Sequence, residues 1–317
     1  MTSRPRSTPI VAVFGPTGVG KTEIALALAD SLRASGHDPV AVSADAIQVY
    51  EGLDALSAKP SADDLERLEH RLVSVVPIDR TFSVAQFAEL AHREIDTLLE
   101  QGRTPIVVGG TGLYLRAALT ELDLKPPPEA GLREQLEREL DRLGPRALHA
   151  ELSERSAAAI HPNDAKRIVR AVELERMGER PYETSTQLWS HDLRRPAELF
   201  GVTMDREALA ARIAARARAM VEGDAPAEVE RALRLGASRT ARKALGFNEL
   251  AALVEGQIDT EEARARLVRR HVAYVKRQLT WMRKLAGVHV IDRTELQAPE
   301  VARLIAGRLP LRLRAAL

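Results

Sequence analysis

The residues best suited to chemistry form the octapeptide GPTGVGKT near the start of the chain. It matches Gly-x-x-x-x-Gly-Lys-Thr at every fixed position, between a strand-like apolar run and a helical pattern, which a chance glycine-rich turn does not explain. Glycines allow backbone N–H groups to surround a phosphate, the lysine adds a cation, and the threonine hydroxyl suits Mg²⁺. The motif predicts a phosphate-binding loop of Gly15, Pro16, Thr17, Gly18, Val19, Gly20, Lys21 and Thr22.

A carboxylate, Asp45, follows the second apolar run of the chain. The carboxyl ends of parallel strands border the ligand crevice, so Asp45 is expected to face the bound phosphate and could act in catalysis. Aspartate is also a favoured helix N-cap, which would give Asp45 a purely structural role. Position alone does not separate these two hypotheses.

The elements that must position these residues follow from hydrophobic spacing. Apolar runs at 10–14, 39–43, 105–108, 199–203 and 288–291 predict strands, and the patterns at 21–34 and 84–101 predict helices. Strands that alternate with helices predict an α/β fold, with a parallel sheet covered by helices on both faces.

The pattern changes after Leu119, where a proline triplet at 126–128 is followed by charged, helical sequence. We therefore expect a helical insertion domain at 122–195. The catalytic core would then consist of 9–121 and 196–310, with a helical, basic C-terminal part broken at Gly223, Gly236 and Gly246.

Composition narrows the classes of function. Hydrophobic residues make up 45% and charged residues 29% of the 317, which is ordinary for a globular protein. The absence of cysteine excludes disulfides and cysteine-bound zinc, and we expect a cytoplasmic protein with a frayed N-terminal arm and no membrane segment. Net charge is only +1, but residues 264–284 contain Lys and Arg without Asp or Glu, so the C-terminal part carries a positive field.

Two other site types are disfavoured. An ordinary P-loop NTPase or kinase has an acidic residue after an apolar strand to help hold Mg²⁺, whereas the run Ile106–Val108 leads into Gly109–Gly112. A histidine metal site at His161 lacks a second ligand at suitable spacing, and His161–Asp164 is typical of a turn and helix N-cap.

These motifs together resemble the tRNA dimethylallyltransferase (tRNA isopentenyltransferase) family, bacterial type. The resemblance runs in family order from about residue 10 to 285. It rests on the loop 15–22, 45–50, Ala58-Lys59-Pro60, 108–114, His161–Asp164 with Arg167 and Arg170, Ala241-Arg242 with Gly246-Phe247, and 276–281. The sequence departs from the family pattern at Ala46, at 55–57 and at 221–225, which concerns substrate contacts more than the reaction.

The resemblance implies a P-loop NTPase-like fold in which the loop holds the diphosphate of dimethylallyl diphosphate. The dimethylallyl group would pass to the exocyclic amine of the adenosine at position 37, beside the tRNA anticodon, and pyrophosphate would leave. The family pattern implies that Asp45 is the general base and that Thr111 and Arg216 are also catalytic. It also implies a Mg²⁺ ion with Thr22 as its protein ligand. For Arg216 the alternative is one more arginine on a solvated helix.

The resemblance also implies contacts with the tRNA anticodon stem-loop. They are assigned to Asp45, Ala46, Ile47, Gln48, Thr111, Arg133, Lys166, Arg167, Ile168, Val169, Arg170, Arg242, Gly246, Phe247, Lys276, Arg277, Gln278 and Trp281. Arg270, Tyr274, Arg277 and Trp281 fall on one helical stripe. That stripe is equally compatible with a core-facing Tyr and Trp edged by arginines.

Three competing functions remain at this stage. The chain could prenylate free adenine nucleotides, but a mononucleotide requires neither the insertion nor the basic C-terminal region. It could be a small-molecule kinase, or a non-catalytic RNA-binding module, which would not explain a complete phosphate loop beside Asp45. We expect a monomeric enzyme that acts on tRNA.

Overall fold

In the computed structural model, which describes residues 10–129, 131–181, 189 and 191–309, the strands of the chain form one six-stranded sheet. The strands are β1 (Ile10–Phe14), β2 (Pro39–Ser43), β3 (His70–Arg71), β4 (Thr104–Gly109), β5 (Ala197–Thr203) and β6 (Val288–Asp292). They lie in the order β3-β2-β4-β1-β5-β6, and all pairs are parallel. The segments that follow the strands therefore gather at one edge of the sheet.

Helices flank the sheet, and a further group of helices forms a smaller compact unit. They are α1 (Lys21–Ala34), α2 (Asp54–Ser57), α3 (Ala62–Arg67), α4 (Val84–Glu100), α5 (Gly112–Leu119), α6 (Leu132–Leu143), α7 (Pro145–Ala150), α8 (Glu154–Ala159), α9 (Ala165–Arg176), α10 (Arg206–Glu222), α11 (Ala225–Arg234), α12 (Phe247–Val254), α13 (Thr260–Lys284) and α14 (Ala298–Arg308), with a 3₁₀ turn at Ala241–Lys243. Within the described residues, no helix has both the length and the apolar character required to cross a membrane.

Strand β1 is buried on both sides, which is why it reads as a continuous apolar run. Val11 and Val13 belong to a core shared with α1 and α14. Ile10, Ala12 and Phe14 alternate with them and are equally buried, so they face the opposite side of the sheet. The α/β sheet with helices on both faces is confirmed.

The strands and long helices predicted from the sequence are present, with small shifts at their ends. Strand β3 and helices α2, α3, α5 and α14 were not predicted. Strand β3 is only two residues long and exists through its pairing with β2, which local spacing does not reveal.

The chain divides into two compact units, and the smaller one spans Leu122–Leu188. Its helices α6–α9 enclose an apolar core that includes Leu136, Leu148 and Ile168. Asp164 caps α9 by accepting a hydrogen bond from the backbone N–H of Arg167 at 3.2 Å, as the sequence predicts. The helical character of the insertion is confirmed for the part of it that the structure describes.

The insertion ends earlier than the predicted residue 195, because Trp189 and the residues from 191 onward belong to the larger unit. Trp189 packs on Trp281, with ring centroids 4.8 Å apart. Arg194 is held in the larger unit by Leu119, whose carbonyl accepts its backbone N–H at 2.8 Å. The predicted arm at 1–9, residues 182–188 of the insertion and the core limit at 310 lie outside the described residues.

A buried carboxylate fixes the start of helix α2. Glu228, on α11, is only 6% exposed. It accepts hydrogen bonds from the backbone N–H groups of Asp54, Ala55 and Leu56 at 2.8–3.0 Å. These groups open α2 and have no partners within the helix, so the carboxylate satisfies them and complements the helix dipole.

We expect Glu228→Gln to lower the free energy of unfolding by about 1–3 kcal/mol, because charge-assisted bonds to buried donors are lost. Urea unfolding followed by circular dichroism measures the change. Glu230→Gln is the matched control, since Glu230 lies on the same helix in an exposed i,i+4 pair with Arg234 and should change stability by less than about 1 kcal/mol. Equal stability of the two variants would contradict the capping role.

Candidate active site

The segment Gly15–Thr22 connects β1 to α1 and forms one wall of a cavity of about 530 Å³ in the larger unit. Gly18 and Gly20 have φ values of +84° and +82°, a conformation that favours glycine. The cavity is lined by Thr17, Gly18, Gly20, Lys21 and Thr22. Gly15, Pro16 and Val19 are buried, so they support the loop from within.

Lys21 lies at the start of α1, and its Nζ donates a hydrogen bond to the carbonyl of Pro16 at 3.0 Å. Burial lowers the pKa of Lys21 to about 8; the carboxylate of Asp45 opposes this shift, and the positive charge of Arg216 adds to it. Its proton is therefore held less tightly than that of an exposed lysine. A bound anion would favour the charged form further.

Asp45 precedes a turn rather than a helix, since the next helix, α2, begins at Asp54, so the predicted helix N-cap is wrong. Its Oδ1 accepts hydrogen bonds from the backbone N–H groups of Ile47 at 2.9 Å and Gln48 at 3.3 Å, as a turn-capping aspartate does. Asp45 also lines the cavity, together with Ala46, Ile47 and Gln48. The turn orients a half-buried carboxylate at the carboxyl end of β2.

Arg216, on α10, also lines the cavity, which decides against a solvated position on that helix. Its Nε is buried and has no hydrogen-bond partner among the described residues. Burial lowers the pKa of the guanidinium, and Asp45 opposes that shift. A buried donor without a partner is costly, so Arg216 is prepared for an anionic ligand.

Thr111 follows β4 and lies in the cavity wall beside the turn that begins at Asp45. Its Oγ1 is 3.4 Å from the backbone N–H nitrogen of Ala46 and 3.5 Å from the hydroxyl oxygen of Tyr274. Burial raises the pKa of Tyr274, and the negative charge of Asp45 raises it further. Thr111 thus links the ends of β4 and β2 to helix α13.

Gln278 is a structural bridge that also lines the cavity, and its assignment as a tRNA contact stays a prediction. It is 3% exposed, and its Oε1 accepts the backbone N–H of Thr17 at 2.9 Å. Its Nε2 donates to the carbonyl of Gly110 at 2.7 Å. Both ends of the amide are therefore engaged within the protein, where they join the phosphate loop, the end of β4 and helix α13.

His271, one helical turn before Val275 on α13, was not singled out by the sequence. It is 1% exposed, lines the cavity, and its Nδ1 lies 2.8 Å from the carbonyl oxygen of Leu267. Burial lowers its pKa to about 4, and the charge of Arg216 contributes to the shift. His271 is therefore neutral near pH 7 and does not add to the positive charge of the cavity.

Several predicted tRNA contacts lie inside the protein. Ile168 and Val169 are in the core of the smaller unit, so their side chains present no surface to a ligand. Gly246 and Phe247 are also buried, and Gly246 begins α12 with a φ of +101°. The side chains of Ile168, Val169 and Phe247 therefore stabilise the fold, and Gly246 supplies the backbone turn before α12. Their contacts with tRNA stay predictions.

Other predicted tRNA contacts are basic and differ in exposure. Arg133 and Arg170 both bind the carboxylate of Glu173, which is 0% exposed, and this fixes their guanidinium groups. The remaining predicted basic contacts have exposed side chains: Lys166, Arg167, Arg242, Lys276 and Arg277.

The stripe predicted on α13 has mixed character. Arg270 is exposed and pairs with Glu249, and Arg277 lies 5.4 Å from the ring of Tyr274. Tyr274 and Trp281 are half-buried. A Cβ on Gly112 would overlap Trp281 at 2.5 Å, so the glycine allows this close packing. The stripe is thus partly core and partly cavity wall.

The donor set near the loop fits Mg²⁺ bound together with a phosphate ligand. The described residues contain no group of three or more His, Asp or Glu side chains that could hold a metal by themselves. Mg²⁺ commonly keeps several waters and binds one or two protein oxygens plus substrate phosphates. Thr22 supplies such an oxygen in the cavity wall.

Comparison with known proteins places this geometry in a family. A family model described as IPP transferase matches residues 48–285, which is most of the chain. The chain belongs to the IPP transferase family. The chain is 39% identical to a tRNA dimethylallyltransferase of Exiguobacterium sp., over 88% of each chain. It is 38% identical to the enzyme of the same name from Streptomyces coelicolor, over 93% of this chain and 96% of the relative.

A solved structure agrees with the family assignment. The tRNA isopentenylpyrophosphate transferase of Bacillus halodurans is 33% identical to this IPP transferase and matches with a TM-score of 0.67 over 98% of each chain. The P-loop NTPase-like fold expected from the sequence is thereby confirmed. This IPP transferase is an enzyme, a prenyltransferase.

We expect the Lys21 ammonium of the free protein to titrate near pH 8, measured by NMR of ¹³C-labelled lysine side chains. Asp45→Asn should lower this pKa further, because the carboxylate stabilises the charged form. Arg216→Gln should raise it, because a like charge is removed. Asp63→Asn, on α3, is the control and should leave the Lys21 titration unchanged. A Lys21 pKa that is unchanged by both cavity substitutions would contradict the electrostatic influence of Asp45 and Arg216 on Lys21.

Proposed function

We propose that this IPP transferase transfers the dimethylallyl group of dimethylallyl diphosphate to the exocyclic amine of the adenosine at tRNA position 37. The observation that carries the proposal is one cavity that contains the phosphate loop, Arg216 and Asp45. Two desolvated cations and the loop's backbone donors suit a diphosphate. One carboxylate beside them suits an amine that must lose a proton.

The reaction forms a bond between C1 of the dimethylallyl group and the amine nitrogen and breaks the bond between C1 and the diphosphate oxygen. The amine is a weak nucleophile because its lone pair is delocalised into the adenine ring. Asp45 accepts the amine proton as the C–N bond forms, which is general-base catalysis worth about 10²- to 10⁴-fold. Pyrophosphate leaves with the electron pair of the broken bond.

The charge on the leaving pyrophosphate is stabilised by Lys21, Arg216 and the backbone N–H groups of the loop, with Thr111 near the same wall. These donors are already in place, so little reorganisation is needed as negative charge develops. Thr22 would hold Mg²⁺, which supplies further positive charge to the diphosphate when it is bound.

A tRNA substrate accounts for features that a free nucleotide does not require. The exposed side chains of Lys166, Arg167, Lys276 and Arg277 offer charges for RNA phosphates. A stacked base is inaccessible, so we expect the target adenine to be turned out into the cavity. These features favour tRNA over free adenine nucleotides.

Incubation with Mg²⁺, dimethylallyl diphosphate and either unmodified tRNA or AMP tests the proposal, with nucleosides weighed by mass spectrometry after digestion. We expect a dimethylallyl mass gain on adenosine from tRNA and no gain on AMP. Gain on AMP alone would indicate a nucleotide prenyltransferase. Hydrolysis of ATP with no prenyl transfer would overturn the proposal.

For Asp45→Asn we expect kcat to fall by about 10²- to 10⁴-fold, the range for a general base. Pyrophosphate should bind at least as tightly as to the wild type, because a negative charge beside the anion is removed. Single-turnover transfer assays and calorimetry with pyrophosphate measure the two effects. Normal turnover of Asp45→Asn would rule out the base role, and Asp63→Asn controls for loss of an aspartate elsewhere.

A further inference from the structure

One buried arginine lies behind the phosphate loop and has no role in the reaction described above. Arg293 follows β6 and is 3% exposed. Its Nη1 donates to the carbonyl of Val19 at 2.7 Å and lies 3.4 Å from that of Gly20. Its backbone N–H donates to the carbonyl of Thr203 at 3.0 Å, which holds the backbone of Arg293 beside the end of β5.

The two carbonyl contacts determine where the neighbouring N–H groups point. In a trans peptide the C=O and N–H groups point in opposite directions. The carbonyl of Val19 shares a peptide unit with the N–H of Gly20, and the carbonyl of Gly20 shares one with the N–H of Lys21. Arg293 binds the Val19 carbonyl and shares the Gly20 carbonyl with the backbone N–H of Ile24, which donates to it at 3.1 Å. Both N–H groups therefore point away from Arg293, and Gly20 and Lys21 line the cavity.

Gly20 leaves the space that this arrangement requires. A Cβ at Gly20 would overlap Nη1 of Arg293, and its φ of +82° disfavours other residues independently. The guanidinium therefore approaches the loop more closely than any side chain at position 20 would allow.

The charge of Arg293 is only partly compensated within the protein. Glu23 is its acidic partner, with Nη2 and Oε2 3.4 Å apart, but the Glu23 side chain is 56% exposed. The Nε of Arg293 is buried and lacks a hydrogen-bond partner in the described part of the chain. Burial lowers the pKa of Arg293, which Glu23 opposes. A cation buried in this way does not favour folding by itself, so its charge is available to an anion on the far side of the loop.

We propose that Arg293 is a positioning residue for the diphosphate: it directs the N–H groups of Gly20 and Lys21 toward the ligand and adds positive charge from behind the loop. The inference rests on the proposed function of the cavity as a diphosphate site. Arg293 does not touch the substrate and acts through the loop.

The test compares Arg293→Gln and Arg293→Lys with the control Arg303→Gln, which removes an exposed arginine from α14. Calorimetry measures the Kd of inorganic pyrophosphate with Mg²⁺, and transfer assays give kcat and KM for dimethylallyl diphosphate and for tRNA. Thermal unfolding without ligand reports folding. Each measurement uses the full chain.

For Arg293→Gln we expect pyrophosphate affinity to fall about tenfold or more, the effect of losing charge-assisted bonds. KM for dimethylallyl diphosphate should rise in parallel, with KM for tRNA unchanged. Arg293→Lys should recover part of the affinity, since lysine restores the charge without the planar fork of donors. Arg303→Gln should match the wild type.

The outcomes separate the inference from the function on which it rests. If the wild type transfers the prenyl group and both Arg293 variants bind pyrophosphate normally, the inference alone is overturned. If Arg293→Gln lowers the melting temperature and affects both substrates equally, Arg293 is merely structural. If Arg293→Gln does not fold, the test passes to Arg293→Lys. Wild-type affinity of Arg293→Lys for pyrophosphate would exclude a positioning role for the planar guanidinium donors. A wild type that neither binds pyrophosphate nor transfers would overturn the proposed function itself.

Discussion

The constraint on which the structure depends is that positive charge must surround a cavity without being neutralised by the protein's own acids. Lys21 and Arg216 are desolvated there, and Asp45 is the carboxylate that opposes both of their pKa shifts. An all-parallel sheet meets this constraint because the carboxyl ends of β1, β2 and β4 lie side by side, so the loop, Asp45 and Thr111 meet at one edge. Glu23 also lines the cavity, but its ion pairs are with Arg212 and Arg293, which leaves Lys21 and Arg216 to an anion.

The sequence predicted the parts of this site that depend on local pattern. The loop, helix α1 and strand β2 have the expected bounds, because motif, strand period and helix period agree there. The place of Asp45 followed from the general rule for parallel strands. The alternative, a helix N-cap, is wrong, because Oδ1 binds a turn that no helix continues, while Asp45 still lines the cavity.

What the sequence did not reveal depends on contacts between distant residues. Gln278 meets Thr17 across 261 positions, and Arg293 meets Val19 across 274, so no local spacing marks either contact. Ile168 and Val169 are a different case. They were assigned to tRNA because they lie within a family motif, although the helical spacing of Ile168 and Val172 already indicates a core face.

Gln278 and Arg293 also affect how the site arises during protein synthesis. Domains generally fold from the N-terminus first as the chain leaves the ribosome, and the phosphate loop precedes both of these residues in the chain. Its anchors in α13 and after β6 are made later, and β1 gains β5 as a neighbour only after the helical insertion has been synthesised. A nascent chain therefore carries the loop before it carries the contacts that fix the loop's final shape, which form only once Gln278 and Arg293 have been made.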